Sequence, residues 1–93
     1  MQHEIIRRVR GSAAERVCTP AELRDIHSSS NPAARFLAYW TLKESISKCR
    51  GTGLSESFQN YEITFQNSMP HFNGYTLFFE QHGVHFLAAA EEA

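Results

Sequence analysis

No stretch of this 93-residue chain approaches the roughly 20 consecutive apolar residues that a bilayer-spanning helix needs, so no membrane segment is expected. Neither sign of charge dominates. The formal net charge is −1 and the pI is near 6.5, which leaves no broad basic field of the kind nucleic acid requires. The one basic cluster, Arg7, Arg8 and Arg10, reads as a solvated edge. Cysteine is scarce: Cys18 and Cys49 have no metal or redox spacing, and they are expected to be reduced, partly buried thiols in a cytoplasmic protein. Aspartate is scarcer still, with Asp25 the single example. There is no internal repeat and no low-complexity segment.

What remains has an ordinary globular balance, 42% apolar and 20% charged, and a length that suits one domain. A domain this small buries roughly 60% of the surface of its unfolded chain, so its margin of stability is thin. Residues 3–9 (HEIIRRV) read as a short strand. Ser12 with Glu15, and Thr19 with Glu22, both fit a capping box, a hydroxyl at the N-cap and a glutamate three residues on. Pro20 follows the second hydroxyl at the first helical position. Short helices are therefore expected over 13–17 and 20–27.

Asn31-Pro32 opens a longer helix that should run to about Arg50, with Gly51 in the left-handed position that ends it and Lys48 and Arg50 at the negative end of its dipole. Beyond it the period changes. Tyr61, Ile63 and Phe65 alternate with polar residues, as on a half-buried strand. Ser68-Met69-Pro70 and Asn73-Gly74 are turn signals, and 75–80 (YTLFFE) and 84–90 (VHFLAAA) read as two strands around Gln81-His82-Gly83. Helices first and an antiparallel meander after them predict an α+β fold with the long helix laid on a small antiparallel sheet.

That helix has two faces. At 100° per residue, Ala38, Tyr39, Leu42, Ile46 and Cys49 fall on one arc, the expected core stripe. Glu44 and Lys48 lie on the opposite side, with Phe36, Trp40 and Lys43 on a flank between. By spacing alone, Glu44 and Lys48 make an exposed pair worth roughly 0.2–0.5 kcal/mol. Trp40 alone is a core residue, and Gly51-Thr52-Gly53 alone is a helix stop without the lysine of a P-loop. His82 and His85 flank a tight turn without a third ligand, so no zinc site is expected; His27 and His71 read as surface.

Taken together, residues 40–54 (WTLKESISKCRGTGL) resemble the signature of the 4′-phosphopantetheinyl transferases: an aromatic, a small residue, Lys-Glu, a lysine four positions after the glutamate, then Gly-x-Gly. The tryptophan before Lys-Glu is similar to the longer, peptide-synthetase-activating type; the short holo-acyl-carrier-protein synthases usually have phenylalanine. Residues 14–23 (AERVCTPAEL) and 85–90 (HFLAAA) also resemble family segments. The resemblance implies a family half-domain over residues 1–93. It also implies transfer of the phosphopantetheine group from coenzyme A to a serine of an apo acyl or peptidyl carrier protein, with Mg²⁺ as cofactor. Glu44 takes the place of the glutamate that ligates the metal and helps remove the serine proton. Lys43 and Lys48 take the places of the two lysines that bind the coenzyme, with Lys48 at the reacting phosphates.

The match departs upstream. The family's Gly-x-Asp is absent; alignment puts Glu4 on its second acidic position, a candidate metal ligand, and Gln2 where the aspartate belongs. The longer type also has two similar halves, of which this chain accounts for the second. Three readings stay open: a piece of a longer enzyme, a short transferase working as a homo-oligomer, and a non-catalytic relative that binds carrier proteins or serves as a structural subunit. In each, self-association is expected through exposed apolar surface, with Phe58, Phe72, Phe78 and Phe79 as contributors.

Overall fold

The long helix organises the molecule, and the order of elements around it follows the sequence closely. The computed structural model describes residues 12–51, 57–83 and 85–93. The strand expected over 3–9, Gln2, Glu4, the arginines at 7, 8 and 10, the Ser12 hydroxyl and Thr52-Gly53 lie outside the described residues or side chains. Two short helices, α1 (Ser12–Val17) and α2 (Pro20–Ser28), lead into α3 (Pro32–Arg50). A 3₁₀ turn (Phe58–Asn60) precedes strands β1 (Thr64–Gln66), β2 (Met69–His71), β3 (Tyr75–His82) and β4 (His85–Glu92). The fold is α+β, with two antiparallel ribbons, β1–β2 and β3–β4.

The helix ends form for the reasons the residues give. Thr19 Oγ1 accepts from the Glu22 N–H and the Glu22 carboxylate accepts from the Thr19 N–H at 2.8 Å, a complete capping box. Asn31 Oδ1 accepts from the Ala34 N–H at 3.2 Å and Pro32 opens α3. At the other end Gly51 adopts φ +73°, so its N–H reaches back to the carbonyls of Ser47 and Lys48. A side chain at that φ would be strained, which is why glycine stands there.

The β3–β4 hairpin pairs Tyr75 with Glu92 through to His82 with His85. Its inner face carries Leu77, Phe79, Ala88 and Ala90, and α3 lies along β4. The alanines keep that face low, so the helix backbone can sit close to the strand. The outer face carries Phe78 and Leu87, 51% and 60% exposed. Tyr61 and Ile63 are buried and Glu62 exposed, as the alternation predicts, although ladder pairing begins only at Thr64.

Several expectations change. The first turn of the sheet region is Asn67-Ser68, both at positive φ, and Met69-Pro70 belongs to β2. Cys49, in the last turn of α3, is exposed. The buried arc instead widens the other way, to Phe36, Lys43 and Ser47, roughly half the circumference at 100° per residue. Two surfaces cover it, the hairpin on one side and residues 58–63 on the other. Of the four phenylalanines expected at an interface, Phe58 is core, Phe72 and Phe79 are half-buried against it, and only Phe78 is free of it.

Asp25 joins α2 to α3. Its carboxylate accepts from Arg35 Nε at 2.7 Å and from the Tyr39 hydroxyl at 2.6 Å, while the Arg35 guanidinium lies 4.1 Å from the Phe65 ring centre. Burial alone would lift the Asp25 carboxyl; the bonds from Arg35 and Tyr39 outweigh it and hold the group below the usual aspartate range. Burial pushes the Tyr39 phenol up, and Asp25 adds to it. Burial, then the Glu22 charge, pushes the Cys18 thiol up to about 12 against a smaller opposing pull from Lys43.

The signs set the pH dependence. The Asp25 contribution is present above the ordinary aspartate value near ~3.9 and is lost as pH falls through its lower folded value. The Cys18 contribution is full below the ordinary thiol value near ~8.5 and is lost as pH rises towards the folded one. Thermal melts from about pH 2 to 11 should therefore give a dome. Asp25→Asn should flatten its acid limb and Cys18→Ala its alkaline limb; limbs unchanged in both variants would refute the assignment. A second check is chemical. An aromatic disulfide reagent should titrate Cys49 at once in the native protein and Cys18 only on unfolding, since reactivity needs access and thiolate.

Candidate functional site

The outward side of α3 presents Glu44, half-exposed, and Lys48, exposed, one helical turn apart. No ion pair joins the two, so the carboxylate and the ammonium point outward as separate groups. Leu37, 46% exposed, and Thr41 share this side. The strip is rigid because the rest of the helix is held: Asn31 caps its start, Gly51 closes its end, and its opposite half is in the core. Lys48 sits in the last turn, where its charge complements the carbonyl end of the helix dipole.

Trp40 borders the strip and does not belong to it. Its ring centre lies 5.2 Å from that of Phe58 and 6.5 Å from that of Phe36. The ring contacts continue from Phe58 to Tyr61, Phe72 and Tyr75. Trp40 is thus a wall that fixes the 3₁₀ turn against α3, as an aromatic at that position reads when taken alone.

Lys43, expected to bind the coenzyme, has no exposed surface. Its Nζ donates to the Phe58 carbonyl at 2.9 Å and the Tyr61 carbonyl at 2.8 Å and lies 2.8 Å from Glu22 Oε1. An ammonium has three N–H donors, and all three are used inside the protein. The physical reason is angular. Residue 43 is 100° from the core residue Leu42, on the flank covered by residues 58–63, and an interior ammonium persists only when fully paired. Glu22 is the residue that reading the sequence missed. Its capping box was legible, but the carboxylate is also buried and its Oε2 accepts from the Ile63 N–H at 2.7 Å. The available signal was a lysine on a flank rich in aromatics, which calls for an interior counter-charge.

Among the described residues no three His, Cys, Asp or Glu side chains converge as a metal cluster. His82 pairs with Glu80 at 2.8 Å at the exposed end of the hairpin and is remote in sequence from α3. Surface cavities of about 240, 220 and 490 Å³ are bounded by other residues than Glu44 and Lys48. Among the described residues no helix is long and apolar enough to cross a membrane. The chemistry available on this strip is that of one carboxylate, able to accept a proton or ligate a hard cation, beside one ammonium suited to phosphate oxygens.

Neither a curated protein nor a solved structure matches the chain. One family model does, that of the 4′-phosphopantetheinyl transferase superfamily, over residues 1–90. A match across nearly the whole chain establishes that the chain belongs to the 4′-phosphopantetheinyl transferase superfamily, a family of transferases.

Proposed function

We propose that this chain transfers the 4′-phosphopantetheine group of coenzyme A to a serine hydroxyl of an acyl or peptidyl carrier protein, with Glu44 and Lys48 on the reacting groups. The observation that carries the reading is the outer strip of α3, where a carboxylate and an ammonium stand one turn apart, unpaired with each other, in a chain of this family. The serine oxygen forms a bond to the β-phosphorus of the coenzyme, the bridging P–O bond breaks, and 3′,5′-ADP leaves with the electron pair. Glu44 takes the serine proton as the new bond forms. Lys48 holds the phosphate oxygens and offsets their charge in the transition state.

The donor set suits Mg²⁺. That ion is commonly held through one or two carboxylates plus substrate phosphates, and Glu44 offers one such carboxylate. Glu4, aligned with the family's acidic position, is the proposed second. When bound, the cation neutralises charge on the pyrophosphate. The cytoplasm is the proposed compartment. The outer face of the hairpin, with Phe78 and Leu87 exposed on it, supports a homo-oligomer in which a second copy covers that face.

One further reading has its own support. Gln2 in the place of the aspartate, and Lys43 withdrawn into the core, both favour a non-catalytic module that docks carrier proteins.

Intact-mass measurement separates the two. Incubation with Mg²⁺, coenzyme A and an apo carrier should add the phosphopantetheine mass to the carrier. Glu44→Ala and Lys48→Ala should each slow the gain by roughly a hundredfold or more, with Glu80→Ala as an unaffected control. No gain with carrier binding retained would establish the docking module instead. For the oligomer, sedimentation should give a species larger than the monomer for the native chain and a monomer for Phe78→Glu combined with Leu87→Glu. A monomeric native chain would rule out self-association.

A further inference from the structure

We infer that Lys43 is a positioning residue: it fixes the rotation of α3, and so the direction of Glu44 and Lys48, through Glu22 and the carbonyls of Phe58 and Tyr61, and it does not touch coenzyme A. The part concerning the coenzyme rests on the function proposed above.

The first ground is closure of the network. Lys43 Nζ meets three oxygens at 2.8–2.9 Å. Glu22 Oε1 meets the Thr19 N–H and the Lys43 ammonium, and its Oε2 meets the Ile63 N–H. Among the described residues no buried side-chain nitrogen or oxygen lacks a partner. For Lys43 to reach a phosphate outside, it would abandon three bonds and leave a carboxylate charge alone in the core. Such an unpaired buried charge is strongly disfavoured.

The second ground is the geometry of rotation. The network joins the start of α2, the middle of α3, the 3₁₀ turn and the residue before β1. Residue 44 lies 100° around the helix from residue 43. A slip of α3 by one residue in either direction changes what faces the two carbonyls and the carboxylate. One slip presents Glu44, a charge of the wrong sign, and the other presents Leu42, which satisfies none of them. Apolar side chains on the same flank discriminate far less, because Phe36 and Trp40 pack against rings without a fixed donor direction. A buried ionic group is best attested in this role, selecting one register among near-equal packings. With Lys43 inward, Glu44 and Lys48 are committed to the outer strip.

Trp40, the single tryptophan, reports this orientation without any ligand, since its ring packs at a tilt against Phe58, whose carbonyl Lys43 holds. The test compares the native chain with Lys43→Met, Lys48→Met and Lys43→Met/Glu22→Gln, all well below their melting temperatures. Lys43→Met should lower Tm, shift Trp40 emission to the red and raise its quenching by acrylamide. The double variant, with no lone carboxylate, should recover most of the Tm but keep the altered Trp40 signal. In the carrier assay its kcat should stay down by roughly ten- to a hundredfold while KM for coenzyme A stays within about twofold, as expected of misplaced groups. Lys48→Met should lower kcat and also raise KM for coenzyme A, with Tm and the Trp40 signal unchanged.

Lys43→Met with native Tm and native Trp40 signal, or with KM raised as in Lys48→Met, would overturn the inference. So would recovery of kcat and Trp40 signal together with Tm in the double variant, which is the behaviour of a purely structural pair. A native chain that transfers nothing defeats the proposed function alone, because Tm and Trp40 still decide the role of Lys43.

Discussion

Lys43 and Glu22 meet at 2.8 Å in the interior of the protein, one with no exposed surface and the other with 1%. Removing two opposite charges from water costs several kcal/mol per ion before their attraction offsets it. The arrangement holds because backbone supplies the other partners of both groups: two carbonyls for the lysine, two N–H groups for the glutamate. Breaking such a pair from one side costs about 3–5 kcal/mol. Typical domains have only about 5–15 kcal/mol of stability in total. Losing one partner of this contact therefore costs about as much as truncating a large core side chain.

The rest of the interior is built around what that contact fixes. With Lys43 inward, α3 buries roughly half its circumference. One part of that arc, through Ala38, Leu42 and Ile46, meets the low alanine face of β4. The other part carries Phe36 and half-buried Trp40 into a run of ring contacts that reaches Tyr75 through Phe58, Tyr61 and Phe72. A second run links Tyr39, Phe65, Phe79 and Phe86. Rings packed edge-on and offset fill a small core with few residues. What is left of the helix surface, about half of it, carries Glu44 and Lys48.

The same arrangement assigns different duties to neighbouring residues of one motif. Lys43 and Glu44 are adjacent in the chain, and a helix separates adjacent side chains by 100°. One of them therefore serves the interior and the other the surface. A motif written in letters does not distinguish a lysine free to meet a ligand from one spent inside the protein. Burial does, because an ammonium whose three donors are spent on protein oxygens has nothing to offer a ligand.

Much of the fold was legible in the residues. The caps at Thr19 and Asn31 and the stop at Gly51 are local matters, decided by hydrogen-bond partners within a few positions, and the sequence carries them directly. The alternation at 61–65 and the two hairpin strands were legible as well, although the second strand runs to Glu92 rather than Ala90. The direction of Glu44 and Lys48 away from Leu42 and Ile46 was equally a matter of period. Cys49 and Lys43 were not legible, for opposite reasons. Cys49 obeys the period of the core stripe yet is exposed in the last turn of the helix. Lys43 violates the habits of its side chain, and is admitted to the core only because Glu22, Phe58 and Tyr61 arrive there from distant parts of the chain. Period and propensity report what one segment prefers by itself. Which flank of a helix is covered, and whether a buried charge finds its partners, depends on segments brought together only when the chain is folded.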